Sequence, residues 1–548
     1  MRSPSGPSFA GAIYRIPFDG PSGQIPGKDW VGSKAHNLMR LAARRLPLPP
    51  AFVLSTELCR DYLHRGAAAL SGLPGVLDRE LQELGARTGR YFGDAKRPLL
   101  VSVRSGAAIS MPGMMETVLN VGLTETTMRS LIRMTGNPRL AYDCRRRLIQ
   151  QYGEVVHGIP PARFDAIRDA ALAKQSVSEI GALDTGSLSD TARAFGDEFE
   201  AATGETFPTD PLFQLRAAIE AVLCSWRSPR AQSYRKLNGF SDDLGTAALV
   251  QAMVFGNLGP ASGSGVGFTR NPANGADALY VDYLANAQGE DVVAGRRRSM
   301  DIADLERRAP EAHRALVAAR PVLEDEFRDM EDFEFTVEEG QLFLLQTRTG
   351  KRTPLAALRI AHDLALQGLI SRREALDRIG ALDLDEIQNF RLKPVTGQMP
   401  FARGTSASTG VAIGAAVFDP QRVARVRHAG KAVILIRENA ETSDISALCE
   451  AVALVAAEGA RTSHAAVVAR ELGKVCVVGC EGLAVDTSGR KCAWGAHTIE
   501  EGEPLSVDGD RGEIYRGEVE VLRDRPTELL QTFAEWRATE GAGLGQTA

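Results

Sequence analysis

Apolar residues along this chain follow two spacings, and stretches of each predict where its elements lie. Up to about residue 350, short strand-like runs (PLLVSV at 98–103, TAALVQAMVF at 246–255, QLFLLQT at 341–347) alternate with helical patterns and Gly-rich turns. Between about 124 and 235 the three-to-four spacing dominates, and LAYDCRRRLIQQYGEVV and DPLFQLRAAIEAVLCSWRSPRAQSYRKL read as helices. Asp210 before Pro211 marks a helix start, with the acid as cap and the proline in the first turn. Residues 353–395 predict two or three helices, one opened by a capping box of Ser371 and Glu374. Strand signals return in 396–520: GVAIGAAVFD, KAVILIR, VCVVG and the turn-containing PLSVDGDRGEIYRG. PTELLQTFAEWRA then predicts a last amphipathic helix. The expected fold class is α/β multidomain. The expected units are 1–352 (with a helical insertion at about 124–235), a helical linker at 353–395, a compact α/β domain at 396–520, and a C-terminal helix and tail at 521–548. No repeat of 20–50 residues is present.

Composition narrows the function classes. A length of 548 residues fits two to four domains at about 150 residues each. Hydrophobic residues at 44% and charged residues at 24% are those of a globular protein. Lys plus Arg is 64 against 69 Asp plus Glu, a formal charge of −5, which argues against a nucleic-acid binder. No apolar run approaches the roughly 18 residues of a membrane helix, and the N-terminus lacks the apolar centre of a secretory signal. Seven cysteines, scattered from Cys59 to Cys492, suit reduced thiols. The expectation is a cytoplasmic protein with neither nucleic acid nor membrane as partner.

Five runs carry candidate chemistry. In EGARTSHAAVVARELGK at 458–474, Thr462 and Ser463 are good N-caps for a short helix ending at Gly473. His464 then sits in the first turn, where the helix dipole favours a neutral, nucleophilic imidazole and free N–H groups stabilise any phosphoryl group it gains. In VSVRSGAAISMPGMMETVLNVGL a strand delivers Arg104 into a turn of small residues, an arrangement suited to bidentate grasp of phosphate. FGNLGPASGSGVGFTRNP at 255–272 reads as a flexible loop (Gly256, Gly259, Ser262, Gly263, Ser264, Gly265, Gly267) that can fold over a triphosphate. EDFEFTVEEGQLFLLQTRTGKRT reads as a hairpin turning near Glu339-Gly340. Asp332 and Glu334 share a face there, with Gln346 and Arg348 on the partner strand; carboxylate and amide oxygens suit Mg²⁺ bound jointly with phosphates. Lys34 in VGSKAHNLMRL can reach phosphate as a point charge from a helix start, and His36 fits that helix's surface. Taken singly, each run also fits a bland reading: a capping residue, a surface arginine, a structural Gly-rich turn, a solvated hairpin face. Cys476 and Cys480 read as core, and the arginines at 296–298 and 145–147 as solvated surface.

Together these runs resemble the pyruvate, phosphate dikinase family over nearly the whole chain, through VGSKAHNL, VSVRSGAAISMPGMMETVLNVGL, YRKLNGFSDDLGTAALVQAMVFGNLG, FTRNP, NAQGEDVVAG, DFEFTVEEGQLFLLQTRTGKRT and TSHAAVVAR. SMPGMM looks like the dikinase, where the related phosphoenolpyruvate synthases have an acid-containing sequence. The resemblance implies an ATP-grasp-type nucleotide domain and a swivelling phosphohistidine domain. Lys34, Arg104, Asp332, Glu334, Gln346 and Arg348 fall on ATP and Mg²⁺ positions, with Glu334 and Gln346 for the metal, and His464 falls on the phosphorylated histidine. Thr462 matches a threonine that a regulatory kinase modifies in plant members. The family reaction, with phosphate present, leaves phosphohistidine, AMP and pyrophosphate. The family's C-terminal barrel for pyruvate needs about 250 residues, whereas about 30 follow the last hairpin. The expectation is therefore a separate pyruvate/phosphoenolpyruvate-binding chain as partner. A phosphocarrier or regulatory protein, a different phosphoryl acceptor, and a homodimer all stay open. Two departures stand in the carrier domain. The family's glycine pair before TSH is Gly459-Ala460 here, followed by Arg461, and its R-x-E-T-x-P-x-D run is Arg437 to Asp444 without the proline.

Overall fold

The computed structural model describes residues 12–17, 24–109, 111, 115–177, 179–294, 300–384, 387–440, 444–459, 461 and 464–542. The chain forms a mixed α/β multidomain fold that divides into two compact units, 1–254 with 343–346, and 255–342 with 347–548.

The first unit is built on a five-stranded antiparallel sheet in the order Ile13–Ile16, Ala51–Leu54, Ala247–Ala252, Val101–Gly106, Thr117–Val121. Its central strand is buried along its whole length, which is why AALVQA carries apolar residues without alternation. Between the last two strands in chain order, the described helices run from Glu125 to Asn238. Their starts follow the local chemistry: the side chains of Thr124, Asn137, Asp184, Asp210 and Ser228 each accept a backbone N–H of the first turn. The arginines at 145–147, expected to be solvated, are not. Arg146 and Arg147 pair with the buried Asp143 at 2.8 and 2.9 Å. Arg145 donates to the Leu123 carbonyl and lies 4.5 Å from the centre of the Phe207 ring, and burial lowers its pKa to about 10. Asp143 is on the same helix and within local reach; what local sequence does not show is the aromatic ring and the carbonyl that the fold brings beside Arg145. Arg296 to Arg298 lie outside the described residues.

In the second unit, a four-stranded sheet has the order Gln341–Thr349, Glu331–Glu338, Gly263–Phe268, Tyr280–Ala285. The first two form the expected hairpin, turning at Glu339 (φ 49°) and Gly340 (φ 83°), the left-handed pair that a two-residue hairpin requires. The run from Ser262 to Gly267 corrects the loop expectation. Gly263, Gly265 and Gly267 stand on one face of a wholly buried inner strand. A Cβ on Gly263 would overlap the Tyr283 ring, one on Gly265 the Phe335 ring, and one on Gly267 would lie 2.6 Å from Phe333 Cζ. These glycines are small because aromatic rings lie flat across them, and composition alone reads such a run as a flexible loop.

The segment from about 400 to 517 folds around an eight-stranded sheet whose inner strands Val411–Val417, Val433–Arg437, Ala453–Ala456 and Val475–Val478 are parallel. Helices Pro420–His428, Ile445–Glu450 and His464–Glu471 contribute Val423, Leu448, Ala466 and Ala469 to the core on one face. A small antiparallel sheet, Leu483–Asp486, Lys491–Trp494 and His497–Glu500, contributes Leu483, Cys492 and Ile499 to the core on the other. Cys476 and Cys480 are buried in these cores, as expected. Before this domain come helices Pro354–Leu366 and Arg372–Ile379, the latter with the Ser371–Glu374 capping box. The C-terminal helix Thr527–Ala542 packs Phe533 and Trp536 into their core. One element was not anticipated. Asn389–Lys393 is a strand paired antiparallel with Glu520–Asp524, a partner so far along the chain that local pattern is silent about it.

Two outcomes are expected. Gly265→Ala should lower the urea midpoint of the unit that contains it, by overpacking worth about 1–3 kcal/mol. The second concerns Glu331, whose side chain sits on the glycine face of the hairpin sheet. Burial, opposed by the hydrogen bond from Thr347 Oγ1 (2.7 Å), raises its pKa to about 8. The folded chain therefore keeps a proton that the unfolded chain releases near its ordinary value of 4.5. This contribution to stability is fully present below that value and is lost as pH rises to about 8, with a slope of up to about 1.4 kcal/mol per pH unit. Melting curves between pH 5 and pH 8.5 should show the decline in the wild type and a flatter profile in Glu331→Gln, whose amide still accepts from Thr347.

Candidate functional site

Within the first unit, two sequence runs far apart in the chain are stapled together. Helix Lys28–Ala43 is broken at Gly32, whose backbone (φ 75°, ψ 158°) lies outside helical space and passes so close to Gly106 that a Cβ would overlap the Gly106 carbonyl. Ser33 donates to the Ala107 carbonyl from both its N–H and its Oγ, each at 2.9 Å. Lys34 consequently begins the continuing helix beside the exit of strand Val101–Gly106, its Cβ 3.8 Å from where a Gly106 Cβ would lie. Arg104 is the fourth residue of that strand, half-buried, and its Nη1 donates to the Leu345 carbonyl at 3.4 Å. The neighbouring Gln346 is 9% exposed. His36 is held by the Pro26 carbonyl (2.8 Å), apart from these groups. Ser110 and Pro112 to Met114 lie outside the described residues.

In the second unit, the register of the four-stranded sheet fixes a polar face. Glu334 stands opposite Val266, which stands opposite Asp282; Asp332 stands opposite Phe268, which stands opposite Tyr280. Directly opposed residues share a face, so Tyr280, Asp282, Val266, Phe268, Asp332 and Glu334 all lie on the side away from the glycine-packed rings. Arg348 Nε bonds Asp332 Oδ2 at 2.7 Å on this side. Burial raises the Asp332 pKa; the guanidinium of Arg348 lowers it, Glu334 raises it, and Arg470 lowers it. Gln346 lies two residues before Arg348 on the neighbouring hairpin strand.

The helix His464–Glu471 reaches this same face through Arg470. His464 opens the helix, as its sequence predicts, and Lys474 N–H bonds back to the Ala469 carbonyl (2.8 Å) just past its end. Thr462 and Ser463, and the side chain of His464, lie outside the described residues. Arg470 is 6% exposed; it donates twice to the Ala407 carbonyl (2.7 and 3.1 Å) and once to the Arg461 carbonyl (3.1 Å), and its guanidinium lies 5.6 Å from the centre of the Phe268 ring. Sequence reasoning did not single out Arg470, although it closes the TSHAAVVAR run. Its signal was an arginine closing the apolar run AAVVA.

The structure thus gathers Lys34 with the Arg104 turn in one unit. In the other it gathers Asp332, Glu334 and Arg348 with the helix that His464 opens. Among the described residues no helix is long and apolar enough to cross a membrane, and no cluster of three or more His, Cys, Asp or Glu side chains could hold a metal by itself.

Comparison with known proteins assigns two stretches of the chain to families. Residues 68–311 match the pyruvate phosphate dikinase AMP/ATP-binding domain, and residues 429–512 match the mobile domain of PEP-utilising enzymes. The chain is 41% identical over 517 residues to pyruvate, phosphate dikinase of Clostridium symbiosum, covering 94% of this chain and 59% of that protein. It is 39% identical over 539 residues to the Rhizobium meliloti (strain 1021) protein of the same name, covering 96% and 60%. Against the chloroplastic pyruvate, phosphate dikinase of Flaveria pringlei it is 41% identical over 511 residues, covering 93% and 53%. The chain spans somewhat more than half the length of these relatives. Over nearly all of its own length, then, it is a homologue of the pyruvate, phosphate dikinases, a family of phosphotransferases, and matches their AMP/ATP-binding domain together with the mobile domain of PEP-utilising enzymes.

Proposed function

We propose that this chain phosphorylates its own His464 from Mg-ATP in the presence of phosphate, releasing AMP and pyrophosphate, with the ATP-binding part as an ATP-grasp-type domain and the mobile domain as a swivelling carrier. The observation that carries this reading is the packing of the helix opened by His464, through Arg470, on the sheet face that presents Asp332 and Glu334.

Release of AMP fixes which bond changes. A neutral imidazole nitrogen of His464 bonds to the β-phosphorus as the bond from that phosphorus to the AMP oxygen breaks. The terminal phosphoryl group then passes to inorganic phosphate as pyrophosphate, and one phosphoryl group stays on the histidine. Transfer of this kind depends on positioning and charge neutralisation. Lys34, Arg104 and Arg348 are suited to the phosphate charge, the arginines by two-pronged donation and the lysine as a point charge. Glu334 and Gln346 offer the hard oxygen donors that Mg²⁺ takes, and Asp332 pairs with Arg348. Bound there with the nucleotide, the metal would neutralise charge on the phosphate oxygens. The reaction needs the imidazole of His464 neutral before transfer. The relatives' name points to pyruvate as the eventual acceptor.

ATP labelled at the β-phosphorus, supplied with Mg²⁺ and phosphate, should leave acid-labile label on the wild-type chain. ATP labelled at the γ-phosphorus should deliver its label to pyrophosphate. His464→Ala should take none, and Glu334→Gln should slow labelling by roughly a hundredfold. Retention of the γ-label with ADP as product would overturn the reading.

A further inference from the structure

Arg461 lies three residues before His464, in the stretch where the carrier domain departs from its family's pattern, and it is clamped from two sides. Its guanidinium lies 4.6 Å from the centre of the Tyr280 ring, and its Nε is 3.9 Å from Asp282 Oδ1. Tyr280 is itself fixed, its hydroxyl donating to the Ser406 carbonyl at 2.8 Å, and the Asp282 side chain is 3% exposed. On the backbone side, the Arg461 carbonyl accepts from Arg470 Nη2, so the residue joins the helix opened by His464 to the strand Tyr280–Ala285. Asp282 and Glu334 flank Val266 in one cross-strand row, so this anchor sits two strands from the candidate metal carboxylate, roughly 10 Å away at about 4.8 Å per strand.

We propose that Arg461 is a positioning residue that ties the start of the His464 helix to this sheet face through Asp282 and Tyr280. The inference rests on the reading of His464 as the phosphoryl acceptor. A partly exposed ion pair combined with a cation–π contact biases a docked position without making it permanent, which suits a carrier that must also leave. The charge pair adds a preference for one seating of the helix that His464 opens.

The test is single-turnover labelling from β-labelled ATP at saturating nucleotide. Arg461→Gln and Asp282→Asn should each slow labelling of His464 about fivefold or more, with the ATP concentration for half-maximal rate and the melting midpoint unchanged. The double variant should lose no more than either single one, and Arg461→Lys should recover part of the rate. Labelling of both single variants at the wild-type rate, or losses that multiply in the double variant, would overturn the proposal while leaving the proposed function standing. A wild-type chain that takes no label would remove both.

Discussion

The placement of candidate chemistry in the second unit depends on how one four-stranded sheet divides its faces. On one side, three glycines of an inner strand lie beneath Tyr283, Phe333 and Phe335, so tightly that no side chain larger than hydrogen fits. Because the strand period is two, satisfying that side commits the alternate residues to the other. Tyr280, Asp282, Asp332 and Glu334 have no choice of face once the rings are seated. A one-residue slip would bury Asp332 and Glu334 among aromatic rings, at a desolvation cost that the packing of the glycine strand never has to meet.

The same alternation explains two unlike acids in adjacent positions. Glu331 and Asp332 are neighbours in sequence but point to opposite sides. Glu331 faces the packed side and bonds Thr347, and burial holds its proton up to about pH 8. Asp332 faces the polar side and pairs with Arg348. One carboxyl belongs to the core and the other to the polar face. The helix His464–Glu471 meets the second kind of surface, and it does so through an arginine whose donors are already committed to its own domain's backbone. Arg470 therefore presents a fixed positive charge rather than a searching side chain, and its influence reaches Asp332.

Much of this was legible in the residues. The turn at Glu339-Gly340, the cap at Asp210, the box at Ser371 and Glu374, and the helix running from His464 to just before Gly473 all depend on contacts a few positions apart, which sequence records directly. Lys34 and Arg104 were chosen for their residue types; what brought them together was the Gly32–Gly106 approach, visible only as two unremarkable glycines. The failures were contacts made at long range. The glycine strand looked like a loop because its partners are rings some 20 to 70 residues away, and Arg145 looked solvated because Phe207 and the Leu123 carbonyl are not part of its helix. The ribbon of Asn389–Lys393 with Glu520–Asp524 pairs residues that flank an entire domain.

That ribbon sets the way the mobile domain is attached. Entry and exit strands run side by side, and beyond them the flanking helices share one core through Phe533 and Trp536. The domain thus hangs from a double-stranded stalk rather than lying as a bead on a string. Two cuts at the stalk's base would release it as a cassette with adjacent ends, fit for grafting into the surface turn of an unrelated scaffold, where a gap the width of one hairpin would receive it.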